Sequence, residues 1–254
     1  MLTAHRHGLD VRFPQVPGAT EVPYTYRSLS DGGWYEESFL EHIRRKARRG
    51  VYVDAGAHLG THTAWFALLC PSTHVHAVEP VGRFADQIDR VVEANDLAQR
   101  VTVHRVGLAH RAGTATNHLC AAHQTGFDPA GAATGRDETF PVTTLDDLIH
   151  EPVAVIKIDV EGMEDSVLRG AQRILSTDRP SVYVEAWDRA KLRTITRVLR
   201  PYGYRATGRV FNSSPTYEFT PTTAVHRVAG PVRLAVDRSS RAARRRVGAA
   251  LRRG

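Results

Sequence analysis

The stretch Val51-Tyr52-Val53-Asp54-Ala55-Gly56-Ala57-His58-Leu59-Gly60-Thr61 decides the fold of this chain. Three apolar β-formers lead into an acidic residue and two glycines, and an apolar run follows. This order predicts a buried strand, a tight turn and a helix that begins at Gly60 or Thr61. Glycine in such a turn lets a ligand approach the backbone at the helix N-terminus.

A second acidic residue, Glu79, follows the strand-like run at 74–78. A carboxylate at this place in nucleotide-cofactor folds binds both hydroxyls of a ribose. The turn and Glu79 together predict a site for a cofactor that contains a nucleoside.

The composition is that of a soluble globular protein with one α/β domain: the chain has 254 residues, 42% of them hydrophobic and 24% charged. No run approaches the roughly 18 apolar residues of a membrane span, and the N-terminus lacks the apolar segment of a signal peptide. The two cysteines, Cys70 and Cys120, are too scattered for a disulfide framework. We therefore expect a cytoplasmic protein.

The net charge of +7 comes from the C-terminus, because residues 238–254 contain seven arginines and no acidic residue. Subtracting these seven from the 34 basic side chains leaves 27, which equals the number of acidic side chains. The body of the protein is therefore neutral, and we expect no nucleic-acid partner. The tail at 237–254 is expected to be disordered or weakly helical.

The chain divides into an N-terminal extension at 1–33, a domain at 34–236 and the arginine-rich tail. The extension is expected to carry a short strand at 22–26. From 34 to 108, apolar residues at helical spacing alternate with strand-like runs, the last of them at 101–108, which indicates parallel βαβ units. Residues 110–141 then show no sustained period, and we interpret them as a candidate substrate lid or a surface loop.

Two further predicted strands end in carboxylates: 153–159 ends at Asp159, and 182–185 ends at Glu185. The first is almost continuously apolar, as expected for a central parallel strand. Lys157 interrupts it and is expected to pair with a nearby acid, because an unpaired buried charge is costly.

Local signals complete the second half of the domain. Thr144 and Asp147 have the spacing of a capping box, and Asp188 can cap the helix that follows it. The runs at 204–207 and 217–220 predict a closing antiparallel hairpin.

Four motifs, taken together, resemble the FkbM-type family of S-adenosylmethionine-dependent methyltransferases, and they lie in the family's order within 51–187. They are Val53-Asp54-Ala55-Gly56-Ala57-His58-Leu59-Gly60-Thr61, Ala77-Val78-Glu79-Pro80, Thr144-Leu145-Asp146-Asp147-Leu148, and Ile156-Lys157-Ile158-Asp159-Val160-Glu161-Gly162-Met163-Glu164, the last continuing to Val167-Leu168-Arg169-Gly170.

The resemblance implies a class I (Rossmann-like) methyltransferase fold, with a seven-stranded, mostly parallel sheet whose last strand is antiparallel. It also implies S-adenosylmethionine as cofactor and a hydroxyl on a sugar or secondary metabolite as methyl acceptor. The chain departs from the family at His58, where asparagine is usual. The residues expected to bind the cofactor are Asp54, Gly56, His58, Gly60, Thr61, Glu79, Pro80, Gly107, Leu108 and Asp159.

The acceptor hydroxyl needs a base or a metal, because an aliphatic alcohol is as weakly acidic as water, with a pKa of about 15.7. The candidate catalytic residues are Asp159, Glu161 and Glu185, which follow neighbouring strands. Asp159 is the first candidate for the base and Glu161 the second. His123 in the candidate lid is a more remote candidate. Mg²⁺ held by Asp159, Glu185 and Asp188 is the metal-assisted alternative.

Two other classes of function remain open from the residues alone. The first is an NAD(P)-dependent oxidoreductase, although the wide spacing of Gly56 and Gly60 and the preceding Asp54 favour adenosylmethionine. The second is a non-catalytic binding module that uses the basic tail on an acidic surface. The oligomeric state is not indicated.

Overall fold

The computed structural model describes residues 1–30, 32–117 and 138–222, which form twelve strands and seven α-helices. The strands are β1 (Leu2–Arg6), β2 (Leu9–Phe13), β3 (Gly50–Ala55), β4 (Ser72–Val78), β5 (Val101–His104), β6 (Gly107–Leu108), β7 (Gly113–Asn117), β8 (Glu138–Thr143), β9 (Val153–Ile158), β10 (Ser181–Glu185), β11 (Tyr204–Phe211) and β12 (Thr216–Pro221). The helices are α1 (Tyr24–Ser30), α2 (Glu37–Lys46), α3 (Thr61–Leu68), α4 (Gly82–Ala94), α5 (Leu145–Leu148), α6 (Glu164–Arg169) and α7 (Arg189–Leu199).

The main sheet has seven strands in the order β11-β12-β10-β9-β3-β4-β5. Strands β10, β9, β3, β4 and β5 are parallel, whereas β12 runs antiparallel to both of its neighbours. The predicted class I (Rossmann-like) methyltransferase fold is confirmed, including the antiparallel last strand. The predicted closing hairpin is formed by β11 and β12.

The centre of the sheet is β9 and β3. All six residues of β9 are buried, and so are five of the six in β3, because helices cover both faces of these strands. Both strands nevertheless contain a charged residue, and the register places Asp54 of β3 opposite Lys157 of β9. The two charges therefore enter the core as neighbours.

The carboxyl ends of the parallel strands meet at one edge of the sheet, as in other open α/β sheets. Glu79 follows β4, Asp159 follows β9 and Glu185 ends β10. The topology therefore brings residues from three separate strand ends to the edge at which the glycine turn lies.

Residues 1–30 pack into the core. Strands β1 and β2 form an antiparallel hairpin, and Ala4, Val11 and Phe13 are fully buried in it. The predicted strand at 22–26 is wrong, because helix α1 begins at Tyr24 and buries Tyr26 and Leu29 at helical spacing. The preceding proline, residue 23, suits the start of a helix.

The predicted strand at 101–108 divides into two. Strand β5 belongs to the main sheet, whereas β6 joins a separate three-stranded sheet with β8 and β7. At the break, Arg105 turns away to form ion pairs with Asp86 and Asp89 of α4. A strand-like run alone does not reveal which sheet its two halves will join.

The candidate lid at 110–141 is described only at its two ends, where β7 pairs with the first part of β8. His123 and the arginine-rich tail lie outside the described residues, so the lid and the disordered tail remain predictions, as do the domain boundaries. Among the helices that the structure describes, none combines the length and the apolar character of a membrane span.

Candidate functional site

The glycine turn between β3 and α3 has the predicted form. Gly56, His58 and Gly60 adopt left-handed backbone conformations with φ of 77°, 50° and 80°. The amides of Gly56 and Ala57 both donate to the carbonyl of Val78 at the end of β4, at 2.9 and 3.2 Å. Helix α3 then begins at Thr61, directly after Gly60. The turn is therefore tied to the neighbouring strand by its own backbone.

Gly56 is required for packing. A Cβ atom on this residue would lie 1.8 Å from the carbonyl oxygen of Asp159. The Asp159 amide in turn donates to the carbonyl of Ala55 at 3.1 Å. The missing side chain at Gly56 thus lets the two central strand ends meet.

Glu79 is buried beside this turn with 5% of its surface exposed. Its carboxyl group accepts hydrogen bonds from the backbone amides of His58 at 2.9 Å and of Val81 at 3.0 Å. Burial raises the pKa of Glu79 to about 7, although the two amides and Lys157 oppose the shift. The carboxyl group is therefore held in a fixed position and titrates near neutral pH.

His58 forms the turn, although asparagine is usual at this position in the family that the sequence resembles. Histidine, like asparagine, is enriched in the left-handed conformation that this position needs. The contact with Glu79 comes from the backbone amide, while the ring packs edge-on against Phe84 at 4.5 Å between ring centroids. Burial lowers the pKa of His58 to about 4, so its imidazole is neutral at pH 7.

Lys157 links the ends of β3 and β9. Its Nζ donates to the carbonyl of Gly56 at 2.9 Å and lies 3.2 Å from Asp54 Oδ1 and 3.7 Å from Asp159 Oδ2. Asp54 also accepts a hydrogen bond from the hydroxyl of Thr63 at 2.7 Å. Burial lowers the pKa of Lys157, but the neighbouring carboxylates outweigh it and raise the pKa overall. The predicted role of Lys157 as partner of a nearby acid is confirmed.

A cluster of carboxyl groups lies beyond these strand ends. Glu185 is almost fully buried and its Oε2 has no hydrogen-bond partner, whereas the side chain of Asp159 is 37% exposed. Burial, together with the charges of Asp159 and Glu161, raises the pKa of Glu185 to about 8. The three predicted catalytic residues therefore interact electrostatically.

The structure does not support the predicted Mg²⁺ ligands. Asp188 accepts a hydrogen bond from the amide of Lys191 at 2.7 Å and caps α7, as the sequence predicted from its position before the helix. Within residues 1–30, 32–117 and 138–222, no group of three or more His, Cys, Asp or Glu side chains is arranged to hold a metal ion.

The remaining predicted cofactor residues are distributed around the turn. Thr61 is buried at the start of α3, and Pro80 joins Glu79 to Val81. Gly107 and Leu108 form β6 and pair with β8, so the sheet holding them is not the one that ends at Glu79. Their contact with the cofactor remains a prediction.

Glu36 and its neighbours were not predicted as site residues. Glu36 precedes α2, its side chain is 11% exposed, and its Oε2 lies 3.3 Å from His62 Nε2. Burial raises the pKa of Glu36 to about 8, with a contribution from Asp159, which places it electrostatically in the carboxyl cluster. No motif contains Glu36, and the helix that follows it shows only basic residues in its last turn, which do not indicate a site.

The N-terminal segment also supports the turn. The hydroxyl of Tyr26 donates to the carbonyl of Leu59 at 2.9 Å, and Gln87 of α4 donates to the same hydroxyl at 3.2 Å. The segment before β3 is therefore part of the site's framework.

Comparison with known proteins gives one family match. The model of the methyltransferase FkbM domain matches residues 54–206, from Asp54 of the turn into β11. A search of curated proteins found no match to this sequence.

Among solved structures, this chain is similar to methyltransferase FkbM from Methylobacillus flagellatus KT, with 21% identity, a TM-score of 0.49, and coverage of 68% of this chain and 44% of that one. It is similar to a methyltransferase from Geobacter sulfurreducens, with 16% identity, a TM-score of 0.46, and coverage of 74% and 78%. It is also similar to SMU.1697c from Streptococcus mutans in complex with SAH, with 10% identity, a TM-score of 0.47, and coverage of 72% of this chain and 94% of that one. The chain thus spans less than half of the Methylobacillus protein.

Proposed function

The chain belongs to the FkbM methyltransferase family, and from this premise we propose that it is an S-adenosylmethionine-dependent O-methyltransferase. The proposed acceptor is a hydroxyl group of a sugar or secondary metabolite. The observation that carries this proposal is the buried carboxyl group of Glu185, which lies beside Asp159 at the ends of neighbouring strands. A carboxyl group with a pKa near the working pH is suited to accept the proton of a hydroxyl.

The residues around the turn fit the cofactor. Glu79 is fixed by two backbone amides at the end of β4, and each of its oxygens retains a lone pair for one ribose hydroxyl. Asp54 is buried, and its Oδ1 has no hydrogen-bond partner besides the ion pair with Lys157. When bound, S-adenosylmethionine supplies a methyl group on a positively charged sulfur, and this site offers carboxylates to such a cation.

The acceptor is proposed to bind beyond Asp159 and Glu185. Two large apolar side chains that follow these acids in the chain are exposed: Trp187 with 57% and Met163 with 42% of their surfaces. Exposed apolar groups beside buried polar ones are typical of a small-molecule site. The chain's task is to hold the hydroxyl in line with the methyl group, and such alignment supplies roughly 7–11 kcal/mol in favourable cases.

Glu185 is the better-supported base of the three candidates. Its pKa is raised to about 8, so its ionised form is a stronger base than an ordinary carboxylate and increases as the pH rises through about 8, whereas Asp159 lies 3.7 Å from the Lys157 ammonium and forms an ion pair with it. Asp159 then holds the Lys157 side chain and orients the hydroxyl. Glu161 acts through its charge, which helps to raise the pKa of Glu185.

We expect Glu185→Gln to lower turnover on the order of 100-fold, because a general base contributes at least this much. Asp159→Asn is expected to lower turnover more than cofactor affinity. The measurement is steady-state kinetics together with cofactor calorimetry for both variants. A loss of cofactor affinity as large as the loss of turnover in Asp159→Asn would move this residue to the cofactor side.

The experiment that tests the proposed function has two parts. Calorimetry with S-adenosylmethionine measures cofactor binding, and a labelled-methyl screen over glycosides and hydroxylated metabolites identifies the acceptor. Glu79→Ala is the control that should weaken cofactor binding. Absence of binding by the unaltered chain contradicts the proposal, and transfer of label to nitrogen only contradicts the O-specific part.

Cofactor affinity is expected to rise with pH through about 7, because burial places the pKa of Glu79 at about 7 and the ribose hydroxyls need an ionised acceptor. Below that pKa, affinity should fall by up to about tenfold per pH unit. The measurement is calorimetry between about pH 6 and 8. Glu79→Gln should bind more weakly and show a flatter profile; equal profiles would contradict this role.

The alternatives have less support. Because the chain belongs to a methyltransferase family, we no longer consider it an NAD(P)-dependent oxidoreductase. The basic-tail binding module concerns residues outside the described part, and deletion of 238–254 with unchanged turnover would remove it. Metal assistance predicts loss of activity on chelation. We further propose a cytoplasmic location, a small-molecule acceptor and no nucleic-acid partner, in accord with the neutral body of the protein.

A further inference from the structure

Glu36 combines a position outside the matched family domain with a left-handed backbone and a nearly buried side chain. It lies outside the family match at 54–206, it has a left-handed backbone with φ of 56°, and its side chain is nearly buried. A glutamate in this backbone conformation is strained, and such strain persists where the surroundings impose it, often at binding sites. Glu36 also makes no side-chain cap to α2, the helix that it precedes.

The groups that face Glu36 come from four parts of the chain. His62 on α3 is neutral, because burial lowers its pKa well below the usual value. The positive charge that acts on Glu36 comes from Lys157, which already pairs with Asp54 and Asp159. The ionisable groups around Glu36 are Tyr35, Asp54, His62, Lys157 and Asp159.

The charges in this cluster are unbalanced. Glu36, Asp54 and Asp159 share a single lysine among the groups that act on them, and Glu185 lies next to Asp159. Buried carboxylates without enough positive charge are costly, and they are relieved either by protonation or by a bound cation. A cationic ligand at this edge of the sheet would therefore be stabilised by Glu36.

We propose that Glu36 binds a positive charge of S-adenosylmethionine, either the sulfonium or the α-ammonium group, and so belongs to the cofactor site. This inference rests on the proposed function. The segment before β3 then completes a site whose other residues come from the family motifs. Tyr35, which stacks on His62 with ring centroids 5.7 Å apart, forms the adjoining wall.

The proposal has a consequence for protons. Burial raises the pKa of Glu36 to about 8, so the free protein holds a proton on this group at pH 7. A bound cation favours the ionised form and lowers the pKa, so binding releases that proton. Glu79 and Glu185 can release protons as well, and only the difference between the unaltered chain and a Glu36 variant reports on Glu36.

The test is calorimetry of the full chain at pH 7 with S-adenosylmethionine and with S-adenosylhomocysteine, each in two buffers of different ionisation enthalpy. We expect Glu36→Gln to release most of one proton less than the unaltered chain and to bind S-adenosylmethionine about tenfold more weakly. Glu21→Gln is the matched control, because Glu21 is 82% exposed at its side chain and pairs only loosely with Arg27 at 3.5 Å. It should behave as the unaltered chain does.

The two ligands distinguish the two cations. A sulfonium contact predicts that Glu36→Gln weakens S-adenosylmethionine alone, whereas an ammonium contact predicts that it weakens both ligands, since both carry the ammonium. If Glu36→Gln does not fold, Glu36→Asp keeps the charge on a shorter side chain and should retain the proton release with reduced affinity.

Equal proton release and equal affinity in Glu36→Gln and the unaltered chain overturn this inference and leave the proposed function standing. The inference is likewise overturned if Glu36→Asp binds S-adenosylmethionine but releases most of one proton less than the unaltered chain. Failure of the unaltered chain to bind either ligand overturns the proposed function itself, and the inference with it.

Discussion

Lys157→Met is expected to destabilise the fold by roughly 3–5 kcal/mol, because removal of one partner leaves the other charge of a buried pair uncompensated. Asp54 is fully buried 3.2 Å from the Lys157 ammonium, and Asp159 lies 3.7 Å from it on the other side. The lysine also donates to the carbonyl of Gly56, so its loss frees the turn. The measurement is urea unfolding, from which the free energy of unfolding is extrapolated.

A double-mutant cycle isolates the pair. Asp54→Asn removes the buried negative charge, so adding it to Lys157→Met should restore part of the lost stability. Arg45→Met is the surface control: Arg45 pairs with Glu41 but is 68% exposed, and such pairs contribute at most about 1 kcal/mol. If Lys157→Met is no more destabilising than Arg45→Met, the buried pair is not what holds β3 to β9.

Gly56→Ala is expected to destabilise the fold by roughly 2–5 kcal/mol, from the left-handed backbone and from overpacking together. The new Cβ would lie 1.8 Å from the carbonyl oxygen of Asp159 and 2.9 Å from its carbonyl carbon. The end of β9 must move to admit it, and Asp159 moves with it. We therefore expect cofactor affinity to fall along with the free energy of unfolding, by calorimetry and urea unfolding.

Gly60→Ala separates the two causes. Gly60 has nearly the same φ, 80° against 77°, but its Cβ would lie at ordinary contact distance, 3.5 Å from Ile88. This variant should lower the free energy of unfolding only by the cost of the left-handed backbone, roughly 1–2 kcal/mol. Equal losses in the two variants would show that the close approach of Asp159 does not matter.

The predictions that held are those with a local cause. The turn and the start of α3 follow from the residues at 51–61, and the Asp188 cap from the position of that residue before its helix. The pairing of Lys157 with an acid was predictable because an ammonium in an apolar strand needs one. The identity of that acid was not predictable, because Asp54 is 103 positions away and meets Lys157 only through the register of β3 and β9.

The wrong predictions concern segments whose apolar residues fit more than one arrangement. The run at 22–26 is too short for its period to separate strand from helix, and packing of Tyr26 against the turn decided for helix. The run at 101–108 has apolar residues on both sides of His104 and Arg105, but its two halves pair with different sheets. Tertiary contacts decide such cases.

By itself, the sequence determined the sheet of alternating strands and helices, the glycine turn, and the acids at the strand ends, because hydrophobic period, backbone preference and capping act over a few residues. The tertiary structure alone decided that Gly56 makes room for Asp159, that Lys157 is shared by two acids, and that Glu36 joins their cluster. These are encounters between residues far apart in the chain. They depend on strand register and on the packing of the N-terminal segment, which no short pattern encodes.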